Sequence, residues 1–247
     1  MNRVTEIIVS ALALVALLVA TTGLSCTGKA TEGGESGTAG SPASGETQSV
    51  KLPIPRREGP ISLEEAIQDR RSVREFTDQP LALDELGQLL WAAQGITSTQ
   101  GARAAPSAGG TYPLEIYLAA GRVTGLEPGV YRYRPATHDL ALVVTGDARA
   151  ELVGASLDQI WVSEGAAALV ISAVYSRTTE RYGERGVRYV HLEAGHAAQN
   201  LCLQATALGL GVVTVGAFSD DGVQDVLHMA SEEDPLYVVP IGRPVSP

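Results

Sequence analysis

Between Val187 and Phe218 the chain reads VRYVHLEAGHAAQNLCLQATALGLGVVTVGAF, and after Glu193 it carries no charged residue until Asp220. At 100° per residue, Val187, Val190, Ala194, Ala197, Ala198, Leu201, Ala205 and Leu208 share one stripe, so the period is helical. The opposite side holds His196, Gln199, Asn200, Gln204 and Thr206, polar but uncharged, where a surface helix would carry Lys or Glu. The pattern predicts a helix buried on nearly all sides, about 30 Å long at the usual rise. Ala194, Gly195, Ala197 and Ala198 are small enough to admit a close neighbour. The amides would need partners inside the protein. A subunit interface holding a polar ligand supplies them, and so does a large monomeric core with ordered water. The same amides make a membrane span a poor reading. Gly209 suits the position after the helix end, where left-handed backbone costs glycine nothing. Val212 to Val215 then predicts a buried strand, and Gly216-Ala217 permits close backbone approach.

The rest of the chain alternates between the two periods. Ser62-Leu-Glu-Glu65 is a capping box opening a short helix through Gln68, which runs into Arg70-Arg71-Ser72-Val73-Arg74. Leu83 to Gln94 predicts a second helix, with Leu86, Leu89, Leu90 and Ala93 on one face and Gly95 as its stop. A polar, Gly-rich loop ends in APSAGGTYPLE, Ala105 to Glu115, and Ile116 to Ala120 predicts a strand. Val130 to Tyr133, a PATHD turn and Leu140 to Thr145 form a hairpin. A helix is expected around Ala148 to Val153 and a central strand over Ala166 to Tyr175. Asp220 to Leu227, capped by Ser219, is a surface helix, and Leu236 to Val239 is a last strand before Pro240-Ile-Gly-Arg-Pro. Strands and helices intermix without a βαβ rhythm, so the class is α+β with a mixed sheet flanked by helices.

Composition fits one well-buried domain or two small ones: 247 residues, 45% hydrophobic. A net charge of -10 argues against nucleic acid as a partner and requires any anionic ligand to be held by a local basic cluster. The N-terminus adds an address. Arg3, the apolar run Ile7 to Ala20 and the small residues before Cys26 form an export signal. Its TGLSC resembles the lipobox of bacterial lipoproteins, although that family has Leu where Gly23 stands. The expectation is a lipoprotein-type signal and anchor over 1–26, with a cleaved secretory signal or an uncleaved anchor helix as alternatives. Residues 27–50, rich in Gly, Ser, Thr and Ala, predict a flexible tether, leaving 51–247 as the globular domain in the cell envelope outside the cytoplasm. With Cys26 lipidated, Cys202 stands alone as a small buried hydrophobe and no disulfide framework exists.

Three stretches carry candidate chemistry. In an extended run, Arg70, Ser72 and Arg74 point to one side, a donor array of phosphate size; pairing with Glu64, Glu65 and Glu75 at the surface is the plainer alternative. Ser107 with Gly109-Gly110 gives a backbone able to turn its N–H groups toward a flat ligand, though an ordinary loop has the same composition. His191, Glu193 and His196 invite a metal reading, but the histidines stand about 500° apart round a helix and share no face, so no metal site is expected.

Together, RRSVREF, LLWAAQGI, RAAPSAGGTYPLEIYL, GVYRYRP, RYGERGVRYVHLEAGHAAQNLCLQATALGLG, VGAF and PLYVVPIGRP resemble the nitroreductase superfamily from Ile61 to Pro244, and in particular its SagB-type branch of azoline-oxidising dehydrogenases. The resemblance implies a homodimeric α+β sandwich with FMN at the dimer interface and the uncharged helix as its centre. It implies that Arg70, Arg71, Ser72 and Arg74 hold the FMN phosphate and ribityl chain, and that Arg243 reaches the phosphate. Ser107, Gly109 and Gly110 would lie on the partner-subunit side of the ring, and Gly216 and Ala217 at its N5 edge. Gly110 stands where nitroreductases commonly have Asn, which removes one hydrogen bond to the ring. Arg181-Tyr182 stands where azoline oxidases have Lys-Tyr, and Arg cannot give up a proton near neutral pH, so peptide azoline oxidation is in doubt while Tyr182 is retained. The chain runs only a few residues past Arg243, which implies no long arm around the partner. The expected function is FMN-dependent hydride transfer by turns between two substrates, small molecules or peptides. An envelope-anchored ligand-binding protein on a degenerate flavin fold, and a peptide azoline dehydrogenase, are the alternatives.

Overall fold

The computed structural model describes residues 48–245. The expected signal and anchor, and nearly all of the expected tether, lie outside these residues. The first strand, β1 (Ser49–Lys51), takes in Ser49 and Val50, which composition places in the tether. Among the described residues no helix is long and apolar enough to cross a membrane.

Seven strands form one sheet in the order β1-β6-β5-β3-β7-β9-β8, with β3 (Leu114–Ala120), β5 (Gly129–Arg134), β6 (Asp139–Thr145), β7 (Ala167–Ala173), β8 (Gly211–Val212) and β9 (Asp234–Gly242). All of their pairings are antiparallel. The sheet becomes mixed at its β8 edge, where Ser72 bridges Val212 in parallel. A separate two-stranded parallel pair joins β2 (Leu81–Ala82) to β4 (Val123–Thr124).

Alternation along the central strands builds a core on both faces. Leu169 faces one way with Ile116 and Leu118, under α2 (Leu83–Gln94) and the C-terminal half of α6 (Arg185–Ala207). Val170 faces the other way with Tyr117 and Ala119, under α3 (Arg149–Ala155), α4 (Trp161–Glu164) and α7 (Asp220–Leu227). All seven residues of β7 are buried, as expected of a strand covered on both faces.

The expected caps are present. Ser62 and Glu65 close the capping box of α1 (Leu63–Asp69), and the Ser219 hydroxyl accepts from Gly222 N–H at 3.2 Å. Four expectations change. The strand expected over Val212 to Val215 stops after Val212, and Val215 rejoins the sheet through a bridge to Val238. The last strand is longer than expected, because Pro235 and Pro240 conceal its ends in the sequence. A helix, α5 (Ser176–Tyr182), precedes α6 and is separated from it by Gly183 at φ +56°. Finally, α6 is not buried on nearly all sides by this chain alone. Val190, Ala194, Ala197, Ala198, Leu201 and Ala205 are buried, while Val187, Arg188, His191, Leu192, His196 and Gln199 are exposed. The uncharged side of the helix faces outward.

Two glycines separate packing from propensity. A Cβ at Gly165 would stand 2.9 Å from both N and O of Ile241, backbone atoms held in β9. Gly165→Ala is therefore expected to cost about 1–3 kcal/mol and lower the Tm. A Cβ at Gly154 in α3 meets nothing within 4 Å, so Gly154→Ala is expected to raise stability by about 0.5–1 kcal/mol. Urea unfolding of both variants checks the pair.

Candidate functional site

The Arg/Ser run begins where α1 ends. Arg70 leaves helical geometry, and the chain is then laced along the sheet edge: Val73 N–H donates to Val212 O at 2.9 Å and Thr77 N–H to Arg243 O at 2.8 Å. Gly211 allows this approach, since a Cβ there would stand 2.8 Å from Val73 Cβ. The result is a cleft of about 160 Å³ between this run, the outer side of α6 and the β8 edge. Arg70 and Ser72 line one wall, Gly195, Ala198, Gln199 and Cys202 the second, and Val212 to Thr214 with Tyr237 the third. Among the described residues neither the Arg70 guanidinium nor the Ser72 hydroxyl has a hydrogen-bond or ion-pair partner. Burial pushes the Cys202 thiol up from its ordinary pKa, with the Arg70 charge pulling the other way.

The other members of the expected phosphate set go elsewhere. Arg71 turns back to donate to Gln68 O at 2.7 Å and Arg70 O at 2.9 Å, closing the end of α1. Arg74 lies over the Trp161 ring, 5.7 Å from its centroid, rather than beside Ser72. Arg243 reaches both Glu85 oxygens through Nη2, at 2.8 and 2.9 Å. Glu85 also accepts Ala82 N–H at 2.9 Å, so this ion pair fastens the chain end to the start of α2.

Gly216 and Ala217 follow the bridge in which Val215 N–H donates to Val238 O at 2.8 Å. Both are exposed, and a Cβ at Gly216 would meet nothing within 4 Å. The Ala217 carbonyl accepts Gln159 Nε2 at 2.8 Å, which ties this loop to the turn before α4.

A second group forms where α5 and the start of α6 meet the PSAGG loop. Gly109 and Gly110 take φ +61° and +67°, backbone that side chains rarely adopt. Arg181 Nη1 donates to Gly109 O at 3.2 Å, and a Cβ at Gly109 would collide with the Tyr182 hydroxyl. The Thr111 and Thr178 hydroxyls bond at 2.8 Å, and Arg177 donates to Tyr112 O at 3.2 Å. Tyr182 stacks edge-on against Tyr189 with centroids 5.2 Å apart. Ser107, Gly109, Gly110, Arg181 and Tyr182 thus converge on one loop, while Arg70 and Ser72 belong to the cleft farther along α6.

Beneath the loop lies a residue that enters the sequence reading only as a rejected metal ligand. Glu193 is 2% exposed, and its Oε1 has no partner among the described residues. Burial raises its pKa to about 7, against the pull of the Ser107 hydroxyl and the Arg103 guanidinium. Arg103 donates to Gln94 Oε1 at 2.9 Å and lies over the Tyr112 ring. The signal in the sequence is a single acid among small apolar residues on the inward side of the helix. Among the described residues no cluster of His, Cys, Asp and Glu could hold a metal ion.

Relatives fit this geometry. The model of the family described as Nitroreductase family matches residues 67–243. A protein of Methanocaldococcus jannaschii named as a nitroreductase is 45% identical over 201 residues, covering 81% of this chain and 99% of that one. A crystal structure named as a nitroreductase from Ralstonia eutropha superposes with a TM-score of 0.72 at 31% identity, covering 82% of this chain and 93% of that one. A chain of the Escherichia coli microcin synthetase complex, with truncated pro-MccB17 bound, gives a TM-score of 0.62 at 25% identity and covers 74% of this chain and 72% of that one. Agreement along almost the whole described chain leads to one assignment: the protein belongs to the nitroreductase family.

Proposed function

We propose that the protein is an FMN-dependent oxidoreductase working as a homodimer, with the cleft beside α6 as one half of each cofactor site. The observation that carries this is the pair of unpartnered donors, Arg70 and Ser72, held at a fixed edge in a chain of net charge -10. A guanidinium and a hydroxyl at that spacing suit a phosphate. The cradle also has room: a Cβ at Gly195 or Gly216 meets nothing within 4 Å, so a planar ring can approach backbone there. Bound FMN would supply reversible hydride transfer, and the chain's part is to hold and orient it. Arg70 and Ser72 would hold the phosphate. Arg71, Arg74 and Arg243 would act behind them, by closing α1, by bracing Trp161 and by tying the chain end to Glu85.

A cleft of about 160 Å³ is smaller than the roughly 300–1,000 Å³ of complete ligand sites. A second copy laid on the outer side of α6 would supply the missing wall and cover Leu192, which is 54% exposed. On this reading the uncharged amides find partners at the interface, and Ser107, Gly109 and Gly110 complete the site from across it.

A second reading has support from the likeness to the microcin synthetase chain: a SagB-type enzyme acting on a modified peptide. Against it stands Arg181, fastened to Gly109 O and permanently protonated where a lysine could release a proton. The N-terminal segment adds a proposal about place, a lipid anchor at Cys26 that holds the domain outside the cytoplasm. Nicotinamide cofactors are scarce there, so quinones or O₂ would be the acceptors. Labelling with a palmitate analogue is expected for the wild type and lost in Cys26→Ser; equal labelling refutes the anchor.

Arg70→Ala removes one charge-assisted partner of the phosphate, so FMN affinity is expected to fall about ten- to a hundredfold. Arg71→Ala, whose guanidinium is engaged with the Gln68 and Arg70 carbonyls, should leave it within about twofold. Fluorescence titration distinguishes them, and equal affinities for all three proteins would refute the phosphate assignment. Leu192→Glu places a charge in the proposed interface, and sedimentation should show monomers that have lost flavin. A monomer that keeps its flavin would contradict the shared site.

A further inference from the structure

We infer that Glu193 is the proton source of the site and passes its proton through the Ser107 hydroxyl to the reducible group of the substrate. This rests on the oxidoreductase reading above. A quinone-type acceptor becomes a hydroquinone by gaining two electrons and two protons. A hydride accounts for both electrons and one proton, so the other proton has to come from this chain or from water.

The residues at the loop narrow the choice. Arg181 and Arg177 stay protonated and cannot serve. The Ser107 oxygen accepts Tyr112 N–H at 2.9 Å, which leaves its own hydrogen to donate and lets the oxygen relay a proton. Glu193 is close enough for the Ser107 hydroxyl to act on its carboxyl, and it is 2% exposed with Oε1 unpaired. A buried carboxyl with a free oxygen is costly as an anion and much less so as an acid. Its pKa, raised to about 7, places the loss of the proton in the neutral range, where a general acid is most effective.

The surroundings have been fitted to hold that balance. The strands under this part of α6 contribute Leu114, Ile171 and Ala173, which carry no charge. Arg103 alone sends a positive charge toward the carboxyl, and it is already engaged with Gln94 and the Tyr112 ring and drawn on by Glu115. From α5, Arg181 spends its bond on Gly109 O. In the step itself, the Ser107 hydroxyl gives its hydrogen to the acceptor oxygen and takes the Glu193 proton. The Glu193 carboxylate then regains a proton from water before the next turnover.

The full chain is tested in three measurements, beginning with flavin absorbance. A wild-type protein without flavin overturns the oxidoreductase reading and this proposal with it. Urea unfolding across pH then tests the proton. Between the ordinary value of 4.5 and about 7 the native carboxyl keeps a proton that the unfolded one has lost, so its contribution to wild-type stability falls as pH rises through that window. Glu233, whose pKa burial also raises, adds a fall of the same sign, so Glu193→Gln should make the fall shallower, and an unchanged slope overturns the proposal. Stopped-flow reoxidation of the reduced protein by a soluble quinone tests delivery. The wild-type rate should decline with an apparent pKa near 7, whereas Glu193→Gln should bind flavin normally and be about a hundredfold slower at low pH, with no break. Ser107→Ala serves the same test if Glu193→Gln does not fold. It should slow reoxidation and move the stability window upward, because the hydroxyl that holds the pKa down is gone. Flavin-loaded variants with the wild-type pH profile would overturn the role of Glu193 while leaving the cofactor reading intact.

Discussion

The close seating of α6 against the sheet is the constraint on which the rest depends. Four alanines, Ala194, Ala197, Ala198 and Ala205, present only methyl groups to the strands, with Val190, Leu201 and Cys202 as the larger members of the buried face. Small side chains let the helix backbone lie low, and dense packing of this kind tolerates little change of volume. Because α6 lies low, the β8 edge, the run from Arg70 to Thr77 and the PSAGG loop can all border the same helix. A bulkier stripe would lift the helix and separate the walls of the cleft. Fold and site are in this sense one packing problem.

Electrostatics follow the same division. Several arginines are committed to carboxylates: Arg132 pairs with Glu115 and Glu233, Arg134 with Asp139, Arg149 with Asp147 and Arg243 with Glu85. Glu233, 2% exposed, is stabilised as an anion only through Arg132 and its neighbours, and burial still raises its pKa. In an acidic chain a guanidinium is easily neutralised by a nearby carboxylate. Arg70 escapes this because its neighbours in the cleft are neutral: glycine, alanine, glutamine, cysteine, valine, threonine and tyrosine. The absence of charge along the outer side of α6 therefore protects the donor array. At the loop, burial leaves Glu193 costly to ionise in spite of Arg103 and the Ser107 hydroxyl.

Much of the fold was legible in the sequence because the signals were local. The capping box at Ser62, the leucines of α2, the hairpin around PATHD, the apolar run of β7 and the cap at Ser219 each depend on a few neighbouring residues. The outer face of α6 is not legible for the opposite reason: lack of charge reports what a surface avoids, and a single chain leaves that surface open. At the site, alternation placed Arg70 and Ser72 together, but it could not foresee that Arg74 would find Trp161 or that Arg243 would find Glu85, residues far away in sequence. Glu193 stands out in the sequence only as a lone acid among small apolar residues on the inward side of α6. Its importance comes from burial and from the loop above it, and neither has a sequence spacing.

On the proposed pairing, two copies of this chain complete two cofactor sites along their α6 helices. Native mass spectrometry of the full chain purified with its flavin tests it most directly. The expected species is a dimer carrying two FMN molecules, with flavin and dimer lost together as the solution is made more dissociating. A monomer that holds one FMN as firmly as the dimer does would contradict it.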